Sequence, residues 1–147
     1  QAGILHDFGK GYSFEQLKKF SIENSLKLDW ISLRDRRLLH GPVGALLLEK
    51  ELGITDREIL TAVYYHTTGF KNMSLLDKVI YLADYIEPNR KFPGVGRVRE
   101  LAARNLNRAL LAAVDNTIAS VLKRQMMLHP NTVDFRNSLL IELHDNS

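Results

Sequence analysis

Three of the five histidines in the chain fall beside small or apolar neighbours: His6 in ILHDFGK, His40 in LLHGPVGA and His66 in YYHTTG. Taken one at a time, each reads as a core imidazole with both nitrogens hydrogen-bonded, an arrangement that protein interiors tolerate. Taken together with Asp7 and Asp84, and with no thiolate to compete, they make a nitrogen and oxygen donor set suited to first-row transition metals. Asp84 stands in VIYLADYIEP, apolar on both sides. A buried carboxylate there costs several kcal/mol unless a cation or several hydrogen bonds offset it. A salt bridge to an arginine is the plain alternative; metal ligation is the preferred expectation.

On a helix, His6 and Asp7 would project about 100° apart. Such a doublet can serve a pair of ions if the carboxylate bridges them. Lys10 follows three and four residues later, on the same face. Its ammonium is no ligand at neutral pH, but it can hold a phosphoryl oxygen. The apolar lead Ile4-Leu5 is expected to seat the doublet in a core. His129, before Pro130, and His144, in the tail, read as exposed.

The elements that must position these residues read as helices. Ser13 with Gln16 makes a capping box ahead of FEQLKKFSIENS, and Thr55 with Glu58 makes another ahead of DREILTAVYYH, which Gly69 is expected to close. Pro42 suits the first turn of PVGALLLEKEL, ended by Gly53. Ser74, with Asp77 in the first turn, starts LLDKVIYLADYI, and Pro88 marks its end. Apolar residues recur at helical spacing from about Val98 to Leu128, with a break near Asn105 to Asn107; a short last helix starts after Asn131 or Thr132. No segment sustains strand alternation, so the class is all-α.

At 147 residues and 45% hydrophobic content, residues 1–147 fit one domain with a substantial core. The absence of cysteine rules out a disulfide framework, a thiolate metal site and a cysteine nucleophile, and favours a cytoplasmic setting. No apolar run is long enough to span a bilayer and no signal-peptide pattern opens the chain. The net charge of +3 suits an anionic partner. Its positive residues gather in SLRDRRLLH and PNRKFPGVGRVR, where Arg97 and Arg99 read as solvated loop residues. Tyr64, Tyr65, Tyr81 and Tyr85 read as core aromatics rather than as a base platform.

The ordered set ILHDFGK, LLHGPVGA, YYHTTG and LDKVIYLADYIEPNR resembles the HD-domain metal-dependent phosphohydrolases. More narrowly it is similar to their bacterial YqeK-type branch, the symmetrical diadenosine tetraphosphate hydrolases. The match covers residues 3–110, with C-terminal helices in 111–147. The resemblance implies a helical HD bundle with a binuclear centre. His6 and Asp7 would be ligands, Asp7 bridging, with His40 and His66 completing one shell and Asp84 binding the other ion. It also implies a further histidine on a helix ahead of the doublet, so a segment upstream of Gln1 is expected.

The implied reaction splits diadenosine tetraphosphate at its central bridge into two ADP, using water activated between two metals. Iron is the expected metal, with manganese, cobalt or nickel able to replace it. Asp7 and Lys10 would carry the chemistry, and Lys10, Thr67, Thr68 and Arg90 would bind phosphate. For the threonines, a helix-end turn held by their own hydroxyls is an equal reading. A homodimer is compatible, a membrane or nucleic-acid partner is not expected, and two other readings stay open: an HD nucleotidase of different specificity, and a non-catalytic nucleotide- or RNA-binding module.

Overall fold

A computed structural model describes residues 1–145, whose regular elements are all helices, with no strand among the described residues. They fall into two units, Gln1–Thr68 and a second beginning at Gly69.

The first unit is built around α3, Arg36–Leu52. Against it pack a 3-10 turn at Phe8–Gly11, helix α2 at Phe14–Glu23, a second 3-10 turn at Ser32–Arg34 and helix α4 at Arg57–Tyr65, while the short α1, Ala2–Leu5, packs on α4. Leu17, Leu39, Val43 and Leu47 form one cluster, and Ala45, Leu48, Leu60 and Val63 another, so α3 is buried on two faces. Each such leucine contributes about 1.5–3 kcal/mol by leaving water. Ile4, however, is 88% exposed, so the apolar lead into the doublet is not a core segment; Ala2 and Leu5 make the inward contacts instead.

The Ser13 capping box forms as expected, and Gly53 ends α3 at φ 65°, the left-handed C-cap favoured by a residue without Cβ. The start of α3 is corrected. Asp35 accepts from the Arg37 N–H and begins the helix at Arg36, which leaves Pro42 inside it rather than in its first turn. A proline in a helix interior forfeits one backbone bond; here burial of every residue from Leu39 to Ala45 holds the helix together across the gap. The cap of α4 is Asp56, not Thr55, because its carboxylate reaches the N–H groups of both Glu58 and Ile59. This helix ends at Tyr65, short of Gly69.

The second unit centres on α7, Leu106–Lys123, packed against α5 at Leu75–Tyr85, α6 at Val95–Ala102 and α8 at Pro130–Asp145. Its core gathers Tyr81, Val98, Leu110, Val114, Phe135 and Leu139. Gly69 packs so tightly on Phe135 that a Cβ there would sit 2.4 Å from the ring. Ser74 and Asp77 form a reciprocal capping box, and Asn105 caps α7 at the expected break. The last helix is longer than its sequence suggests and starts at Pro130, a favourable first-turn residue. His129 before it is buried, contrary to expectation, and its Nδ1 accepts the Asn131 N–H at 3.1 Å; His144 is exposed. No helix among the described residues is long and apolar enough to cross a membrane.

Candidate metal centre

The chain around the His-Asp doublet is a corner, not a continuous helix. His6 is the C-cap of α1, and Asp7 adopts φ −94° and ψ 10° before the 3-10 turn Phe8–Gly11 begins. Glycines let this corner approach α3. A Cβ on Gly9 would lie 2.3 Å from the His40 carbonyl oxygen, and one on Gly41 would lie 2.7 Å from that of Tyr64. Backbone thus meets backbone on both sides of His40, and His40 and His66 are buried at 5% and 2% exposure.

Each histidine is oriented through its own backbone, by the residue three positions earlier. Nδ1 of His6 lies 2.8 Å from the Gly3 carbonyl and Nδ1 of His66 lies 2.7 Å from that of Val63, while the Arg37 backbone hydrogen-bonds the His40 ring. A carbonyl only accepts, so Nδ1 of His6 and of His66 carries the proton and, in the neutral ring, Nε2 carries the lone pair. These Nε2 atoms gather on one carboxylate oxygen. Asp7 Oδ1 is 3.4 Å from that of His6, 3.8 Å from that of His40 and 3.6 Å from that of His66.

The two buried imidazoles come closer still, Nε2 to Nε2 at 2.9 Å. With their other nitrogens engaged by backbone, neutral rings point lone pair at lone pair, which is favourable only when a cation lies between them. A proton or a metal ion meets that need. Asp7 Oδ1, moreover, is buried and is met by the Lys10 ammonium at 2.7 Å. Ligands held about 2.1 Å from one ion stand roughly 3–3.5 Å from each other. The donor spacings of Asp7, His40 and His66, 2.9, 3.6 and 3.8 Å, bracket that range, and the three residues form a group able to hold a metal.

The electrostatics fit the same use. Burial pushes the His40 imidazole down to about 4, helped by the nearby charges of His66 and Lys10, so the ring is a neutral ligand at neutral pH. Burial by itself raises the Asp7 carboxyl, but contacts with His66 and Lys10 and the charge of His6 outweigh it and hold Asp7 below the ordinary carboxylate range. The Lys10 ammonium sits 2.7 Å from Asp7 Oδ1 and is 41% exposed, with one side on the carboxylate and the other on solvent.

A family model described as the HD domain matches residues 1–89. The chain belongs to the HD domain family. Among its relatives, the symmetrical bis(5'-nucleosyl)-tetraphosphatase of Halalkalibacterium halodurans is 43% identical over 141 residues, which is 96% of this HD protein and 75% of the relative. The protein of the same name from Bacillus subtilis is 43% identical over 131 residues, covering 89% and 70%. A crystal structure of a predicted HD superfamily hydrolase involved in NAD metabolism, from Clostridium acetobutylicum, superposes with a TM-score of 0.90 at 43% identity, covering 96% of this chain and 75% of that one.

The remaining expected site residues of this HD protein are placed as follows. Thr67 and Thr68 end the first unit, with Thr67 Oγ1 buried and without a hydrogen-bond partner and Thr68 buried at 6% exposure. Asp84 lies in the second unit, next to last in α5, and is half-buried rather than enclosed by apolar neighbours; Arg90 Nη2 donates to its Oδ1 at 3.0 Å. The salt bridge expected as the plain alternative for Asp84 is therefore present.

Arg99 is not a solvated loop residue. It donates to the carbonyls of Ile86, Glu87 and Arg90 at 3.1, 2.8 and 3.0 Å, clamping the loop that returns Arg90 to Asp84. Arg36 plays a comparable part in the first unit, donating to the Lys10 and Tyr12 carbonyls. Neither arginine is distinguished in sequence from its basic neighbours, because a carbonyl acceptor leaves no mark on residue type.

Proposed function

We propose that this HD domain hydrolyses diadenosine tetraphosphate symmetrically, releasing two ADP. The observation that carries the reading is the convergence of the His40 and His66 Nε2 atoms on the buried Oδ1 of Asp7. The names borne by relatives at 43% identity supply the substrate.

In this reading Asp7, His40 and His66 hold one metal ion. His6 and Asp84 serve a second, with Asp7 bridging, a proposal supported by the sequence motifs. The bound ions would activate a water and neutralise phosphoryl charge. Iron is the proposed metal, with manganese, cobalt and nickel compatible with the donor set.

Lys10 is poised to move part of its ammonium from Asp7 to a phosphoryl oxygen, because it already lies at the carboxylate and reaches solvent. Thr67 offers a hydroxyl with no partner of its own, and Thr68 sits beside it. Arg90 can divide its guanidinium between Asp84 and phosphate, since a planar fork has donors to spare.

Incubation of the manganese-loaded protein with diadenosine tetraphosphate, followed by nucleotide chromatography, tests the reaction. Two ADP per substrate is expected; ATP with AMP, or no turnover, overturns it. Elemental analysis of protein purified without added metal tests the choice of iron.

A further inference from the structure

We propose that Arg36 is a positioning residue of the hydrolytic site that acts through Lys10; the proposal rests on the reading of Lys10 as a phosphate-binding group. Arg36 is the first residue of α3 and lies at the surface. An exposed arginine ordinarily samples many rotamers, and confining it costs up to about 2 kcal/mol of side-chain entropy. Here its guanidinium is committed to a loop distant in sequence. Nη2 donates to the Lys10 carbonyl at 2.8 Å and to the Tyr12 carbonyl at 3.0 Å, and Nε reaches Tyr12 at 3.3 Å.

Those bonds complete the restraint of one residue. The Lys10 N–H donates to the Asp7 carbonyl at 2.8 Å, its ammonium pairs with Asp7 Oδ1 at 2.7 Å, and its carbonyl is taken by Arg36. On the other side of the turn, Gly9 is pressed against the His40 backbone. Arg36 precedes His40 by four residues, so the two stand on the same face of α3. A single helix therefore sets the imidazole and, through Arg36, the ammonium.

Preorganised charge stabilises a phosphoryl transition state without reorganising during the reaction, and that advantage depends on the cation being held in place. Loosening the turn would leave Lys10 in the sequence but not at its station.

The test is a double-mutant cycle between Arg36→Ala and Lys10→Ala. It is read by kcat/KM for ADP formation, by calorimetric ADP affinity of the manganese-loaded protein, and by manganese content. Arg36→Ala is expected to lower kcat/KM on the order of tenfold to a hundredfold, to weaken ADP and to leave manganese content at the wild-type level. In the Lys10→Ala background the same change should cost no more than about twofold, the non-additivity of two residues acting as one. Arg36→Lys keeps the charge and stem without the fork, and should fall between the two, which keeps the cycle informative if Arg36→Ala folds poorly.

Additive losses, a loss of manganese in step with activity, or no effect of Arg36→Ala would overturn the proposal while leaving the role of Lys10 intact. If Lys10→Ala itself changes neither turnover nor ADP affinity, the phosphate-binding reading fails and the proposal falls with it.

Discussion

Asp7 shows how one side chain gathers a site. Its Oδ1 is buried, and three imidazole nitrogens and an ammonium lie within 3.8 Å of it. Asp7→Ala should therefore release bound metal and abolish turnover together, measured by metal content and ADP release, while a binding module independent of metal would keep its nucleotide affinity. The acid dependence follows from the same residues. The folded His40 titrates near 4 against an ordinary 6.5, so between those values the unfolded chain binds more protons. Metal-free protein should lose stability as pH falls from about 6.5 to 4, by on the order of 3 kcal/mol from this group. The depressed carboxyl of Asp7 contributes above its ordinary value and is lost below it, extending the decline at lower pH. Thermal melts of chelated protein at stepped pH check the sign; a midpoint that rises on acidification contradicts it.

At the scale of the element, capping chemistry was legible where a single hydroxyl and its partner are local, as at Ser13 with Gln16 and Ser74 with Asp77. It misled where two candidate caps stood side by side, Thr55 and Asp56, since only the loop geometry selects which carboxylate or hydroxyl meets the N–H groups. Pro42 misled for a related reason. Its local preference is for a helix start, but the burial of α3 on two faces outweighs one lost hydrogen bond. Gly9 and Gly41 carry no local signal of their role, which is to let backbones touch. Gly41→Ala should drive a methyl toward the Tyr64 carbonyl, spread α3 from α4 and separate the two Nε2 atoms. Metal affinity should fall by at least tenfold with helix content by circular dichroism unchanged; unchanged affinity would mean that the close approach is not what sets the centre.

For the whole molecule, the two units rest on separate cores, so their failures should be separable. Phe135 is fully buried against Tyr81 and Gly69, and Phe135→Ala should cost about 3–5 kcal/mol, read as a lowered melting temperature. Chelation acts at the proposed metal ligands instead, through the linkage between metal binding and folding. At free metal one hundred times its Kd, the metal adds about 2.7 kcal/mol. The midpoint of wild-type protein should drop on chelation and recover on adding manganese, whereas Asp7→Ala protein should not respond. A chelator effect of the same size in both proteins would place the metal elsewhere.

The sequence by itself determined the helical class and the starts of α2, α5 and α7, because periodicity, caps and residue chemistry are local properties. It also singled out His6, His40 and His66, which stand among small and apolar neighbours. Only the tertiary structure decided that their Nε2 atoms face one another, because that follows from the i−3 backbone bonds and from backbones brought close at Gly9 and Gly41. It likewise decided that His129 is buried and that Arg36 and Arg99 are committed to carbonyls. A carbonyl is common to every residue, so the groups that hold these loops are invisible to a reading of side chains and appear only when the chain is folded.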